Sequence, residues 1–338
     1  MNGNDSKKQE GSGLTTIKDV AEQAGVGIAT VSRMINHTGY VSEEARERIE
    51  AAIRELDFIP NERARNLSRK RSGIIGVIIP DFQTPFYASF IRQVEIELYK
   101  YGYKTMVCNT VKTSDREKEY VDMLKRNIVD GIITGALSVE DTVYKEIDKP
   151  IVSMDHDLGP RIPLIHSDHK KGGQMVAEYL ASRGCRRVIQ IGGCFQVNTP
   201  SNDRYIEFEK VMNAYHISVR TLEMEWNRTS YSYYMDLMQK YVDELKEADG
   251  IFASDMGAIA LYHFASDMGI KVPQQLKVVG YDGTDMTRMV TPVVTAVCQD
   301  IPLLAKKCVD TVMKLVQGEG DIDYHQVTDV YFQKGGTA

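Results

Sequence analysis

No run of 18 uncharged apolar residues occurs anywhere in the 338-residue sequence, so a membrane-spanning helix is excluded. The first thirteen residues, MNGNDSKKQEGSG, contain no apolar segment, and no secretory signal is expected. Cysteine is scarce. The five residues (Cys108, Cys185, Cys194, Cys298 and Cys308) are odd in number and never spaced as CxxC. That argues against a disulfide framework or a zinc ribbon and for reduced thiols in a cytoplasm. Signatures of catalysis are missing too: GxxxxGK, HExxH and GxSxG do not occur. Gly25 to Thr30, GVGIAT, imitates a dinucleotide loop, but no strand precedes it and its third glycine is absent. His166 and His169 lie three apart without a third metal ligand in the pattern. No metal, no cofactor and no enzymatic activity are expected.

What is present is ordinary in total and uneven in distribution. Apolar residues make 43% and charged residues 26%, as in soluble globular chains. The net charge of −6 argues naively against nucleic acid. Yet residues 15–72 carry ten Lys/Arg against nine Asp/Glu, and residues 60–72 carry five basic side chains against Glu62 alone. A basic arm on an otherwise acidic chain is a DNA-contact pattern, although a solvated linker has the same charge.

Residues 14–60 read as three short helices. Thr16 opens a capping box with Asp19, and Ile17, Val20, Ala21 and Ala24 recur at helical spacing up to Gly25. A second helix, 28–36, has Val31, Met34 and Ile35 on one side. Ile28, Ala29, Ser32, Arg33 and Asn36 remain for the other. Ser42 caps a third helix ending at Leu56, with Glu43 and Glu44 where the helix dipole favours acids. This is a helix-turn-helix pattern, whose second helix fits the major groove. A protein-binding helical bundle is the plainer alternative. The arm 61–72 is too short for a stable isolated helix and is read as a hinge that folds on binding. Residues 1–13 are read as a disordered tail.

From Gly73 the texture becomes alternating apolar strands and amphipathic helices. Strands are expected at 73–80, 103–109, 130–135, 150–155, 186–193, 218–223, 249–254 and 276–282. Helices are expected at 85–101, 114–127, 139–147, 170–183, 201–215, 231–247 and 256–268. The fold class is an N-terminal all-α helix-turn-helix domain plus an α/β two-lobed effector domain of doubly wound parallel sheets. DGIITG and DGIFAS mark two similar halves, and two lobes imply a cleft at the carboxyl ends of their strands. Lobe one is expected at about 73–170 and 300–325, and lobe two at about 171–299 and 326–334. The fifteen methionines are read as core.

TIKDVAEQAGVGIATVSRMIN, VSEEARERIEAAIRELDFIPN and ARNLSRKRS resemble the lactose- and galactose-repressor family of bacterial transcription regulators. IGVIIPDFQTPFYASFI, VDGIIT, GIFASD, VVGYDGT and TPVVTAVCQD extend the resemblance to residues 15–334. Its nearest branch is the Gram-positive sucrose operon repressors. The resemblance implies a periplasmic-binding-protein-like effector domain, a homodimer on palindromic double-stranded operator DNA, and a sugar effector, sucrose or fructose-like, between the lobes. It places Ile28, Ala29, Ser32 and Arg33 in the major groove, and Thr16, Thr30, Asn36, Ser42 and Asn61 at phosphates. Ala64 and Leu67 fall in the minor groove, where Leu67 wedges between base steps. In the cleft it points to Arg204, Asp282 and Trp226, the only tryptophan. Asp81, Phe86, Asp155, Ser254 and Asp255 are added because they sit at strand ends, where a sugar pocket needs carboxylates and an aromatic face. Gly27, Phe58, Cys185 and Glu207 depart from the family's usual Ser, Tyr, His and small residue.

Two other classes compete. A sugar-transport receptor would carry a secretory signal and lack residues 15–72. An α/β enzyme with a helical appendage would carry a nucleophile or phosphate-loop signature. The final segment, TDVYFQKGGTA, carries no apolar heptads, so a dimer is expected rather than a tetramer built on a helical tail.

Overall fold

The computed structural model describes residues 15–36, 38–59, 71–110, 114–135, 144, 147–197, 199–225 and 228–338. They form two compact units divided between Ser72 and Gly73. The expected tail, most of the helix at 139–147, and the candidate residues Asn61, Ala64, Leu67 and Trp226 lie outside the described residues.

The first unit is helical: α1 Ile17–Ala24, α2 Ile28–Asn36 and α3 Glu43–Glu55. At the start of α1 the Asp19 carboxylate accepts both the Thr16 backbone N–H, at 2.7 Å, and the Thr16 hydroxyl, at 2.8 Å. Gly25 ends α1 in the left-handed region, φ +61°, and Val26 N–H returns to the Ala21 carbonyl. Val20, Ala24, Val31, Ile49 and Ala52 are buried together. Phe58 joins them, so its lack of a hydroxyl suits an apolar site.

The second unit holds two six-stranded sheets. The first contains β1 Ile74–Ile79, β2 Lys104–Asn109, β3 Gly131–Thr134, β4 Ile151–Met154, β5 Leu164–Ser167 and β11 His325–Thr328. They run in the order β2-β1-β3-β4-β5-β11, all parallel. The second contains β6 Arg187–Ile191, β7 Ser218–Leu222, β8 Gly250–Ala253, β9 Lys277–Asp282, β10 Thr295–Gln299 and β12 Val330–Gln333. Its order is β7-β6-β8-β9-β10-β12, with β12 antiparallel. Helices α4 Pro85–Lys100 and α5 Ser114–Lys125 follow β1 and β2. Helices α6 His169–Ser182, α7 Asp203–Ala214, α8 Tyr231–Lys240, α9 Val242–Glu247, α10 Asp255–Asp267 and α11 Met286–Met289 belong to the second lobe, and α12 Ile301–Gln317 returns to the first. The apolar side of α12 packs with Ile75, Val77 and Phe90 in one core, and α6 packs with Val188, Phe252 and Val279 in another.

The chain passes between lobes three times, each time at an aspartate. Asp168 caps α6 by accepting Lys171 N–H at 3.0 Å, and Asp300 caps α12 by accepting Leu303 N–H at 3.0 Å. Asp329 separates β11 from β12 and pairs with Lys171 at 2.5 Å. The third passage therefore corrects the expected lobe boundary. Residues 326–328 belong to lobe one, because β11 pairs along β5 from His325↔Leu164 to Thr328↔Ser167. Two expected helices are also broken: 201–215 begins with a 3-10 turn at Pro200–Asn202, and 231–247 is interrupted at Tyr241. Met268 and Met289 are exposed rather than core.

Candidate functional site

In the helical unit, Ile28, Ala29 and Arg33 are exposed on α2, and Thr30, Ser32 and Asn36 are half-buried. Ile28 keeps 45% of its surface exposed. Val31 on the opposite side is fully buried. Helix α2 therefore presents one side away from the core, with small side chains next to a cation. Gly27 lacks a side chain to cap it, but its carbonyl accepts Thr30 N–H and Val31 N–H. The Ser42 hydroxyl accepts Ala45 N–H at 3.4 Å and so caps α3. Asn36 donates to the Ser32 hydroxyl at 3.2 Å.

In the α/β unit a cleft opens between the lobes, where the carboxyl ends of β1, β4, β6, β8, β9 and β10 converge. Lobe one contributes Asp81, Thr84, Phe86, Tyr87 and Asp155, and lobe two contributes Arg204, Tyr234, Ser254, Asp255, Asp282 and Gln299 among others. Seven of the eight expected effector residues thus line one cavity, Trp226 being outside the described residues.

Arg204 is its electrostatic centre. The guanidinium donates to Asp282 Oδ1 at 3.3 Å and, through Nε, to the Ser201 carbonyl at 2.9 Å. It lies 4.3 Å from the Tyr281 ring centroid and 5.4 Å from that of Tyr205. Burial works against its charge, but Tyr205, Asp282 and Tyr281 hold its pKa above the ordinary value. Asp282 sits in a left-handed conformation, φ +103°, at the end of β9. Such strain clusters at binding sites. Gln299 donates to the same Asp282 Oδ1 at 2.8 Å. Burial pushes the Asp282 carboxyl above its usual range despite Arg204.

The other candidates divide by what already holds them. Asp155, φ +56°, accepts His169 Nε2–H at 2.8 Å, while His169 Nδ1 meets the Tyr281 hydroxyl at 3.0 Å. Burial opposes Asp155's ionisation, but the field and hydrogen bond of His169 override it and lower its pKa. Asp81 forms a tight turn through Gln83 N–H at 2.9 Å while lining the cleft. Ser254, not Asp255, caps α10, and it also meets the Tyr234 hydroxyl at 2.8 Å. Asp255 instead accepts Gly283 N–H at 3.2 Å, Thr284 N–H at 2.7 Å and the Thr284 hydroxyl at 2.8 Å. Both its oxygens thus hold the loop after β9. Burial, then the neighbouring Asp282 charge, push its pKa well up. Glu207 pairs with Lys210 at 2.8 Å on α7 and is not among the cleft-lining residues.

Sequence reasoning missed Gln299, Tyr281 and His169. Gln299 and Tyr281 lie in or near strand ends, the signal that could have found Gln299. His169 is considered in the sequence only as a metal ligand, yet it opens α6, is 2% exposed and holds Asp155. Thr84 and Thr229 meet across the cleft, hydroxyl to hydroxyl, at 3.0 Å. Among the described residues no group of three or more His, Cys, Asp or Glu is arranged to hold a metal, and no helix is long and apolar enough to cross a membrane.

A helix-turn-helix unit joined to a two-lobed α/β domain with a polar cleft defines a ligand-controlled DNA-binding regulator. Residues 16–61 match the model of bacterial regulatory proteins of the lacI family, and residues 177–331 match the periplasmic binding protein-like domain. The chain is 36% identical over 304 residues to the sucrose operon repressor of Streptococcus mutans, covering 90% of this chain and 93% of that protein. It is 37% identical over 293 residues to the ribose operon repressor of Halalkalibacterium halodurans, covering 85% and 86%. A solved structure of the lac repressor dimer, bound to operator and the anti-inducer ONPF, superposes with a TM-score of 0.84 at 25% identity, covering 96% of this chain and 99% of that one. The chain belongs to the lacI family of bacterial transcription regulators.

Proposed function

We propose that this chain is a homodimeric repressor of a sugar-utilisation operon, controlled by a small sugar held between its lobes. It acts by binding alone, with no catalytic step. The observation that carries the reading is the Arg204–Asp282 pair at the cleft, backed by Gln299 and lying over the Tyr281 ring. A cation, a carboxylate and an amide fixed side by side offer donors and acceptors to vicinal hydroxyls, and Phe86 offers an apolar face. The relatives' names, sucrose and ribose operon repressors, support a saccharide. Of these we favour a sucrose- or fructose-like ligand.

On DNA, Ile28 and Ala29 would read base edges in the major groove, with Ser32 and Arg33 beside them. Thr16, Thr30, Asn36, Ser42 and Asn61 would meet phosphates, which add affinity that falls with salt. The segment 61–72 would act as the hinge, with Ala64 and Leu67 in the minor groove.

A thermal-shift screen of the full chain against sucrose, fructose, ribose, glucose and cellobiose tests the cleft. A ligand that binds only the folded state at 100 times its Kd stabilises by about 2.7 kcal/mol. A positive sugar should also change the chain's affinity for operator duplex. No shift with any saccharide, or a shift that leaves DNA binding untouched, overturns the reading.

A further inference from the structure

The cleft between the lobes is uneven in charge. Five acidic side chains line it, Asp81, Asp155, Glu225, Asp255 and Asp282, and Arg204 is the only Lys, Arg or His among the described lining residues. The cations in reach are each held by one of these acids. Arg204 donates to Asp282 at 3.3 Å, Arg228 to Glu225 at 2.8 Å, and His169 to Asp155 at 2.8 Å. An anionic ligand would have to compete with a carboxylate for every one of them.

Backbone donors around the cleft are committed in the same way. Gly283 N–H and Thr284 N–H converge with the Thr284 hydroxyl, the kind of concavity that holds anions, and the Asp255 side chain already fills it at 3.2, 2.7 and 2.8 Å. Asp81 takes Gln83 N–H at 2.9 Å, Ser254 takes Gly257 N–H at 3.3 Å, and the Thr199 hydroxyl takes Ser201 N–H at 3.3 Å. Helix α4 opens at the cleft with Pro85, which has no N–H. What the cleft leaves unmet is an acceptor. Gln299 lines it and is 4% exposed, and its Oε1 has no partner among the described residues, while its Nε2 is spent on Asp282.

A buried acceptor is costly until a donor meets it. A sugar hydroxyl is such a donor. A phosphate ester brings acceptor oxygens and charge that must be desolvated and neutralised. We infer that the cleft takes an uncharged sugar, one hydroxyl of which donates to Gln299 Oε1, and rejects the same sugar as its phosphate ester. The inference rests on the sugar reading above and narrows it to a class of saccharide. To be held, a phosphate would have to displace Asp282 from Arg204, or Asp255 from Gly283 and Thr284, and either displacement leaves a carboxylate short of partners.

The test is calorimetric titration of the full chain with fructose, sucrose, ribose and glucose, and with fructose 6-phosphate, sucrose 6-phosphate, ribose 5-phosphate and glucose 6-phosphate. A free sugar should bind about 100-fold more tightly than its phosphate ester. The acetyl ester at the same position, neutral and of similar bulk, should bind more tightly than the phosphate. Gln299→Met keeps the shape and removes Oε1, and should bind the free sugar about tenfold more weakly. If that variant does not fold, the comparison of esters on the wild type decides. A phosphate ester that binds as tightly as its free sugar, an acetyl ester rejected as strongly as the phosphate, or unchanged sugar affinity in folded Gln299→Met would overturn the inference and leave the sugar reading standing. No binding by any of these compounds would overturn the sugar reading itself, and this inference with it.

Discussion

The Asp155 carboxylate accepts a hydrogen bond from His169 across the boundary between lobes, at 2.8 Å and out of water. Asp155 ends β4 of one lobe, and His169 opens the first helix of the other. A lowered carboxyl pKa in the folded state means that the stability it supplies is present above the ordinary 3.8 and lost as pH falls through the lowered value. His169→Gln removes the cause of that lowering and leaves the desolvation. The variant should lose about 1–3 kcal/mol at pH 7, and its deficit should shrink below pH 4. Urea unfolding at both pH values checks this, and a deficit independent of pH would show that the histidine only fills space.

Arg204→Ala strands the Asp282 carboxylate in a buried site. Breaking a buried pair costs about 3–5 kcal/mol, and the lower end applies here because Gln299 still donates to Asp282. Response to sugar should vanish while operator binding persists in chains that remain folded. Retention of wild-type sugar sensitivity in a DNA-release assay would move the effector site elsewhere.

Asp282 carries the opposite pH signature from Asp155. Its folded pKa is raised, so its contribution is fully present below 3.8 and lost as pH rises through the folded value. Relative to Asp282→Asn, the wild type should therefore lose stability between pH 4 and pH 7 in denaturant titrations. A gap that widens in the wild type's favour over that range would contradict the burial argument.

Gly173 on α6 lies against the backbone of α7. A Cβ there would stand 2.1 Å from the Arg204 carbonyl oxygen, which is main chain and cannot swing aside. Gly173→Ala should cost about 1–3 kcal/mol and displace Arg204. Thermal unfolding and sugar affinity should fall together. A fully stable variant with normal affinity would mean that the two helices part without consequence.

Exchanging Ile28 and Ala29 for other side chains should leave stability within about 0.5 kcal/mol, because both are exposed on α2. The preferred operator should change. Selection from a randomised duplex pool reads this directly, and an unaltered consensus would remove these residues from base recognition.

The helical unit was legible because its signals are local. Thr16, Gly25 and Ser42 mark helix ends by chemistry that acts within four residues. The strand-end rule brought Asp81, Asp155, Ser254 and Asp255 to one cleft by a general property of parallel sheets, while Arg204 and Asp282 came from the family resemblance. Partnerships remote in sequence were not legible. Nothing near His166 announces His325, 159 residues away, and nothing near Asp282 announces Gln299. Asp255 is named for its place after a strand end, and nothing near it announces that its buried carboxylate holds a loop 28 residues on. Only Asp329 stands between β11 and β12, with no helix to mark the passage, so the lobe boundary there was misplaced.

The placement of β11 and β12 ties the completion of one lobe to that of the other. Residues 325–333 supply one edge strand of each sheet, and the Thr337 hydroxyl donates to the Val278 carbonyl within the second. A chain in which residues 325–333 are unpaired therefore holds two sheets, each with an unfinished edge, and unfinished edges recruit other strands. Neither lobe reaches its final form ahead of the other. They finish together, when residues 325–333 pair.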